Sequence, residues 1–252
     1  MLLRNRVALV TGAGSGIGAA GAKAMAREGA RVIVTDKNGN AAEAVASQIA
    51  KEGGKARACA LDVTEDADLV SAIEEVAHTE GRLDILHSHA GVQIEGKLEQ
   101  VSVTDMDLSW RMNVRSHFIA AQAAIAPMRQ QGGGSVIITS SNSGVQFDRE
   151  MIAYATTKHA VLAMTRQMAA DYAKENIRFN SLCPGFIDTP FNHGFEVQMG
   201  GRDKLESYIR ETLPMGRFGT VEEIAEAIVF LASNKSSFMT GHAFVVDGGE
   251  CI

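Results

Sequence analysis

The stretch whose reading decides the fold is Val7-Ala8-Leu9-Val10-Thr11-Gly12-Ala13-Gly14-Ser15-Gly16-Ile17-Gly18. Its first four residues are apolar and rich in valine, as in a strand buried on both faces, and the glycines that follow lead directly into a helical pattern. Glycine tolerates positive φ and lets a second backbone or a ligand approach closely. The first turn of a helix adds unpaired N–H groups and the positive end of a dipole, a combination that suits a pyrophosphate. The spacing Gly12-x-x-x-Gly16-x-Gly18 departs from the strict G-x-G-x-x-G pattern. The loop alone therefore does not separate a nucleotide cradle from a structural turn, and its context must.

Working outward, the same strand-then-helix unit recurs. Val7–Val10, Arg31–Thr35, Ala56–Ala60, Leu83–His87, Ser135–Thr139, Arg178–Leu182 and Ala243–Val246 read as strands of nearly continuous apolar character, as expected in a parallel sheet covered on both faces. Helical patterns fall near 17–28, 40–52, 66–79, 104–130, 151–175 and 221–232. The second of these carries Ala41, Val45 and Ile49 at four-residue spacing and stops at Gly53-Gly54. Strict alternation predicts an α/β, Rossmann-type, doubly wound parallel sheet of about seven strands with right-handed crossovers. No linker or repeat divides residues 1–252, so a single domain is expected. One excursion, about 186–213, breaks the rhythm around a short helical stretch at Lys204–Thr212 and reads as a substrate loop or lid.

Bulk properties narrow the function. A net charge of −6 speaks against a nucleic-acid partner. No apolar run approaches the ~20 residues that a membrane helix needs. Cys59, Cys183 and Cys251 are widely spaced and odd in number, which points to reduced thiols and a cytoplasmic setting. The N-terminal apolar run feeds the glycine loop, so it is not read as a signal peptide.

The second strand ends at Asp36, eighteen residues beyond Gly18. A carboxylate there bonds both ribose hydroxyls of NAD and repels the 2′-phosphate of NADP, which makes NAD the expected cofactor. Asp62-Val63 closes the third strand and is placed to flank the adenine.

At the other end of the chain's chemistry, Tyr154 and Lys158 stand four apart, hence one turn apart on a helix face. An adjacent ammonium favours the phenolate and draws the tyrosine pKa down from about 10 toward neutrality. Such a phenol takes a proton from an alcohol or returns one to a carbonyl. Thirteen residues upstream of Tyr154, a strand end delivers Ser140 and Ser141, which converge with it at the switch point of the sheet.

Taken together, "TGAGSGIG", "LDV" at 61–63, "HAG" at 89–91, "MNV" at 112–114, "GSVIITSS" at 134–141, "YATTK" at 154–158, "CPGFIDTP" at 183–190 and "GHAFVVDGG" at 241–249 make the whole chain resemble the short-chain dehydrogenase/reductase family. The resemblance implies a catalytic set of Asn113, Ser141, Tyr154 and Lys158. Tyr154 would be the acid/base, with Lys158 lowering its pKa and holding the nicotinamide ribose. Ser141 would hold the substrate oxygen, and Asn113 would position a water joining Lys158 to solvent. It further implies that Gly12, Ser15, Gly16, Ile17, Gly18, Asp36, Asp62, Val63, His89, Ala90 and Gly91 contact the cofactor with Tyr154 and Lys158. Pro184, Gly185, Ile187 and Thr189 would cradle the nicotinamide carboxamide. A homo-oligomer, commonly a tetramer in the family, is also implied.

Substrate contacts are expected from Gln93, Ser141, Asn142, Gln146, Arg149, Asn192 and His193. That set is polar, so the expected small-molecule substrate is a polar secondary alcohol or its ketone: a polyol, sugar or hydroxy acid, with Arg149 as a partner for an anion. The competing readings are a carbonyl (3-oxoacyl-type) reductase and a non-catalytic NAD-sensing protein on the same fold. The pair His87 and His89 in "LHSHAG" raises the question of a metal. No clear third ligand stands nearby and none is expected, so His89 is read as standing where the family has Asn, with a possible pH dependence of cofactor binding.

Overall fold

The computed structural model describes all 252 residues. Seven strands form one parallel sheet in the order β3-β2-β1-β4-β5-β6-β7. They are β1 (Val7–Val10), β2 (Arg31–Asp36), β3 (Lys55–Ala60), β4 (Ile85–Ser88), β5 (Gly134–Thr139), β6 (Ile177–Pro184) and β7 (Ala243–Val246). Each matches an apolar run of the sequence within two residues. The order reverses between β1 and β4, and the crevice beyond the carboxyl ends of these strands is where open α/β sheets bind ligands.

Helices cover both faces. On one side α1 (Gly16–Arg27), α2 (Gly39–Lys51) and α9 (Val221–Ala232) pack on alternate residues of the strands, burying Ala8, Val10, Val32, Val34, Ile137 and Leu182. On the other side α3 (Asp66–Glu80), α5 (Ser116–Gln130) and α6 (Ile152–Tyr172) bury Leu9, Ile33, Leu86, Val136, Ile138 and Phe179. Neighbouring strand residues thus alternate between two dry cores, which is why these strands carry no polar face.

Two segments differ from the sequence pattern. The predicted helix 104–130 is two helices, α4 (Val103–Trp110) and α5, joined by a π-helical turn at Arg111–Arg115. Such turns insert a residue without changing composition, so periodicity does not reveal them, and they cluster at functional sites. The excursion after β6 holds two helices rather than one: α7 (His193–Met199) and α8 (Arg202–Thr212). They fold over an apolar cluster of Leu205, Ile209 and Leu213 with Phe186, Phe195 and Phe218 against it.

Candidate active site

A cavity of about 730 Å³ runs along the carboxyl ends of the strands, well within the range of small-molecule and cofactor sites. One end is the glycine loop. Gly12 sits at φ +64°, and a Cβ there would lie 2.9 Å from the Ala90 backbone. Ser15 occupies the N-cap of α1 yet makes no cap bond, so the helix start faces the cavity with its N–H groups uncapped by a side chain. Asp36 organises the loop, its carboxylate accepting from the Gly14 N–H (3.0 Å) and the Asn38 N–H (2.9 Å). Asn38, not Asp36, caps α2, by accepting from the Ala41 N–H. Asp62 accepts from the Thr64 backbone and hydroxyl, and these bonds hold its carboxyl below the usual range.

The walls of this cavity include Gly12, Ser15, Gly16, Ile17, Asp36, Asp62, Val63, His89, Ala90 and Gly91, and toward the other end Pro184, Gly185, Ile187 and Thr189. Gly18 does not line it. A Cβ at Gly18 would collide with the Gly12 carbonyl and approach His89 Cδ2 at 2.8 Å, so this glycine lets α1 pack closely under the loop.

Ser141, Tyr154 and Lys158 line the far end together. The Ser141 hydroxyl accepts from the Ser143 N–H (3.2 Å) and donates to Asn142 Oδ1 (2.9 Å). The Ser140 hydroxyl donates instead to the Lys158 carbonyl at 2.9 Å, tying the strand end to α6. Lys158 Nζ donates to the Thr139 carbonyl (3.0 Å) and stands 5.4 Å from the Tyr154 ring centre.

Here the electrostatics differ from the sequence expectation. Burial pushes the Tyr154 phenol up to about 12, with the Ser141 hydroxyl beside it working the other way. Burial likewise pulls Lys158 down to about 8. Desolvation is the largest cause for both groups, so Tyr154 is a neutral phenol at neutral pH.

Asn113 lies in the π-helical turn, fully buried and outside the cavity wall. Its Oδ1 accepts from the Val92 N–H and its Nδ2 donates to the Val92 carbonyl, both at 2.8 Å, and Nδ2 also donates to Thr157 Oγ1 (3.1 Å). The Asn113 side chain is thus committed to a clamp joining the turn, α6 and the loop after Gly91.

Of the expected substrate residues, Gln93, Asn142, Arg149 and Asn192 line the cavity. Asn192 spends its amide on the Ile187 carbonyl (2.6 Å) and braces the lid. His193 is exposed at the start of α7 and Gln146 points to Glu250 at 3.2 Å; neither reaches the wall, because the chain turns away at these positions. Arg149 is exposed and makes no ion pair, whereas the neighbouring Glu150 pairs with Lys97 (3.4 Å). Sequence reasoning missed the aromatic share of the pocket, namely Phe147, Phe186, Phe191 and Phe195, and the cation Lys37 beside Asp36. Isolated phenylalanines in a loop carry no periodic signal; Lys37 was readable as the residue after Asp36.

The histidine pair lies on one side of β4, ring centres 5.2 Å apart. No three His, Cys, Asp or Glu side chains are grouped as a metal site would need. Burial pushes His89 down to about 4, so it does not titrate near neutrality as its residue type suggests.

A glycine cradle at a helix start, a carboxylate at the end of β2 and a Ser–Tyr–Lys cluster across the same cavity define an oxidoreductase site for a nicotinamide dinucleotide. A family model described as "Enoyl-(Acyl carrier protein) reductase" matches residues 12–250. The chain is 38% identical to 2-(S)-hydroxypropyl-CoM dehydrogenase 3 of Xanthobacter autotrophicus over 250 residues, 98% of this chain and 97% of that one. It is 36% identical to D-threitol dehydrogenase of Mycolicibacterium smegmatis, covering 99% and 94%. A crystal structure of a gluconate 5-dehydrogenase from Burkholderia cenocepacia, in complex with NADP and tartrate, superimposes with a TM-score of 0.92 at 34% identity, covering 98% and 96%. The chain belongs to the short-chain dehydrogenase/reductase family.

Proposed function

We propose that this protein is an NAD-dependent dehydrogenase of secondary alcohols, working mainly in the oxidative direction, with Tyr154 as its acid/base. The observation that carries the reading is that Ser141, Tyr154 and Lys158 share one cavity with Asp36. Bound along that cavity, the nicotinamide supplies the hydride acceptor. The substrate hydroxyl meets Ser141, whose own acceptor and donor are already fixed by Ser143 and Asn142. Tyr154 first releases its own proton toward solvent, the Lys158 ammonium stabilising the phenolate, and Oη then takes the hydroxyl proton as the carbinol carbon gives up its hydride and the carbonyl forms, returning to the neutral phenol.

The pocket composition refines the substrate. Phe186, Phe191 and Phe195 offer an apolar wall, Gln93 and Asn142 a polar one, and Arg149 an unpaired cation at the rim. We infer a secondary alcohol with a compact apolar part at the carbinol and a polar or anionic tail, hydroxy acids and polyols included. The relatives named as hydroxypropyl-CoM, threitol and gluconate dehydrogenases are compatible with that range. The exposed Leu108, Trp110 and Phe118 on α4 and α5 support a homo-oligomer, tetrameric by family resemblance. The three free cysteines accord with a cytoplasmic setting.

An NADPH-dependent carbonyl reductase is the second reading, favoured by Lys37 in the cavity wall and by the NADP in the gluconate 5-dehydrogenase structure. A screen of NADH and NADPH formation over polyols, hydroxy acids and cyclic alcohols separates the two. NADH formation on a polar alcohol supports the first reading; turnover confined to NADPH and ketones replaces it with the second.

A further inference from the structure

The histidine pair at the end of β4 has no part in the proton transfer above, and its hydrogen bonds fix which ring atoms carry protons. Thr139 Oγ1, at the end of β5, lies 2.9 Å from His87 Nε2 and 3.0 Å from His89 Nδ1. A threonine hydroxyl has one proton to give, and these two nitrogens are its only acceptors within hydrogen-bond distance. Were it given to His87 Nε2, the neutral His87 ring would carry its own proton on Nδ1. That atom is sealed from solvent without a partner, next to Gly21, and a buried orphan N–H is rare and costly. Were both rings to donate to Thr139, the hydroxyl proton itself would be left without an acceptor. The arrangement that strands no donor runs from His87 Nε2–H to Thr139 Oγ1, and from the Thr139 hydroxyl to His89 Nδ1. It leaves only a bare lone pair on His87 Nδ1.

With Nδ1 accepting, the single proton of neutral His89 sits on Nε2. Burial keeps both rings neutral: His89 is pushed down to about 4 and His87 well below its usual range. His89 Nε2 has no protein partner, and unlike His87 Nδ1 and His117 Nε2 it is not sealed in the interior. His89 lines the cavity, with Gly18 against its Cδ2. The ring stands between Gly18, at the glycine loop, and Thr139, whose carbonyl holds Lys158 Nζ, so His89 faces the middle of the groove.

We propose that His89 is locked by Thr139 as the Nε2–H tautomer and gives that N–H to an oxygen acceptor in the middle of the bound dinucleotide, a ribose hydroxyl oxygen or a pyrophosphate oxygen. This rests on the dinucleotide reading of the cavity and adds to it a donor that the glycine loop does not supply. The shared chemistry is a neutral donor meeting an oxygen lone pair, and truncated ligands distinguish the sources.

Two measurements test it. In histidine-¹⁵N-labelled protein, long-range ¹H–¹⁵N correlation spectra report the tautomer directly, with the His89 signals assigned by their loss in His89→Asn. The expected result is an Nε2–H pattern for His89 in the free protein; an Nδ1–H pattern overturns the proposal. In calorimetry, His89→Leu is expected to weaken ADP-ribose binding about three- to tenfold, the worth of one net hydrogen bond. A loss already present with AMP assigns the adenosine ribose, one first present with ADP the pyrophosphate, and one confined to ADP-ribose the distal ribose; each supports the donor. Equal affinity of wild type and variant for all three overturns it. If wild-type protein binds none of NAD⁺, NADP⁺ and ADP-ribose, the dinucleotide reading itself fails, while the tautomer spectrum still judges the lock.

Discussion

The amide of Asn113 closes a two-point bridge on the backbone of Val92, accepting its N–H and donating to its carbonyl, each at 2.8 Å. The bridge crosses from the π-helical turn to the loop that leaves Gly91, where a Cβ would stand 2.9 Å from Asn113 Oδ1 and 3.5 Å from Lys158 Nζ. Asn113→Ala leaves the Val92 N–H and carbonyl without their partners in a part-buried setting. The expected cost is about 1–3 kcal/mol of stability, read as a lower melting temperature, together with reduced kcat. Asn113→Ala with an unchanged melting temperature would show that the bridge is not structural.

The proposed preference for NAD rests on Asp36. Its carboxylate faces the cavity with both oxygens already accepting backbone N–H bonds, and a 2′-phosphate brought beside it would be repelled. In Asp36→Ser the repulsion is removed while Lys37 remains. The expected outcome is a shift in the ratio of NAD⁺ to NADP⁺ affinity toward NADP⁺ of about tenfold or more, measured by calorimetry. An unchanged ratio would mean that Lys37, not Asp36, governs the choice.

The α7–α8 excursion, proposed as a lid, is tied together by Arg202, which pairs with Asp188 (2.8 Å), Glu196 (3.1 Å) and Glu206 (2.8 Å) and lies 4.2 Å from the Phe218 ring centre. These partners span the approach to the lid, α7 and α8. The pairs are part-exposed, so their removal costs at most about 1 kcal/mol of global stability. Arg202→Ala is expected to raise KM several-fold and to speed proteolysis within 188–206, with little change in melting temperature. A wild-type KM would detach the network from substrate closure.

How much of this was legible in the sequence follows from which residues carry periodic signals. The strands were readable because residues such as Val32, Ile33 and Val34 fill two cores in turn and leave no polar gap. The cluster of Ser141, Tyr154 and Lys158 was readable through the family resemblance of "GSVIITSS" and "YATTK", with which the meeting of strand ends and helix starts at one edge of such a sheet agrees. The π-helical turn around Asn113 was not, since it alters hydrogen bonding without altering composition. Helix α7 was missed because His193-Gly194-Phe195-Glu196 has no apolar repeat, and with it the direction of His193. The raised Tyr154 pKa depends on burial depth, which no spacing of Tyr and Lys encodes.

Stability should fall on mild acidification. His89 is pushed down to about 4, and His87 and His117 well below their usual value, all first by burial. Below about pH 6.5 the unfolded chain takes up these protons while the folded one does not. The stabilisation is therefore present above that pH and lost as pH falls toward the folded values, by about 1 kcal/mol per pH unit for each histidine. Glu250, raised to about 7 by burial, acts in the opposite sense, stabilising at low pH and losing that effect as pH rises through 7. Three imidazoles outweigh one carboxyl, so the melting temperature should drop between pH 7 and 5. A flat or rising profile would contradict the burial of the trio.

The central claim is that Tyr154 moves the proton that accompanies hydride transfer. With the best substrate of the alcohol screen, the decisive measurement is single-turnover NADH formation by Tyr154→Phe beside its NAD⁺ affinity. Affinity is expected to stay within a few-fold while the rate falls about 10²–10⁴-fold, the worth of a positioned acid/base. A Tyr154→Phe protein that binds NAD⁺ and forms NADH at the wild-type rate would contradict that claim.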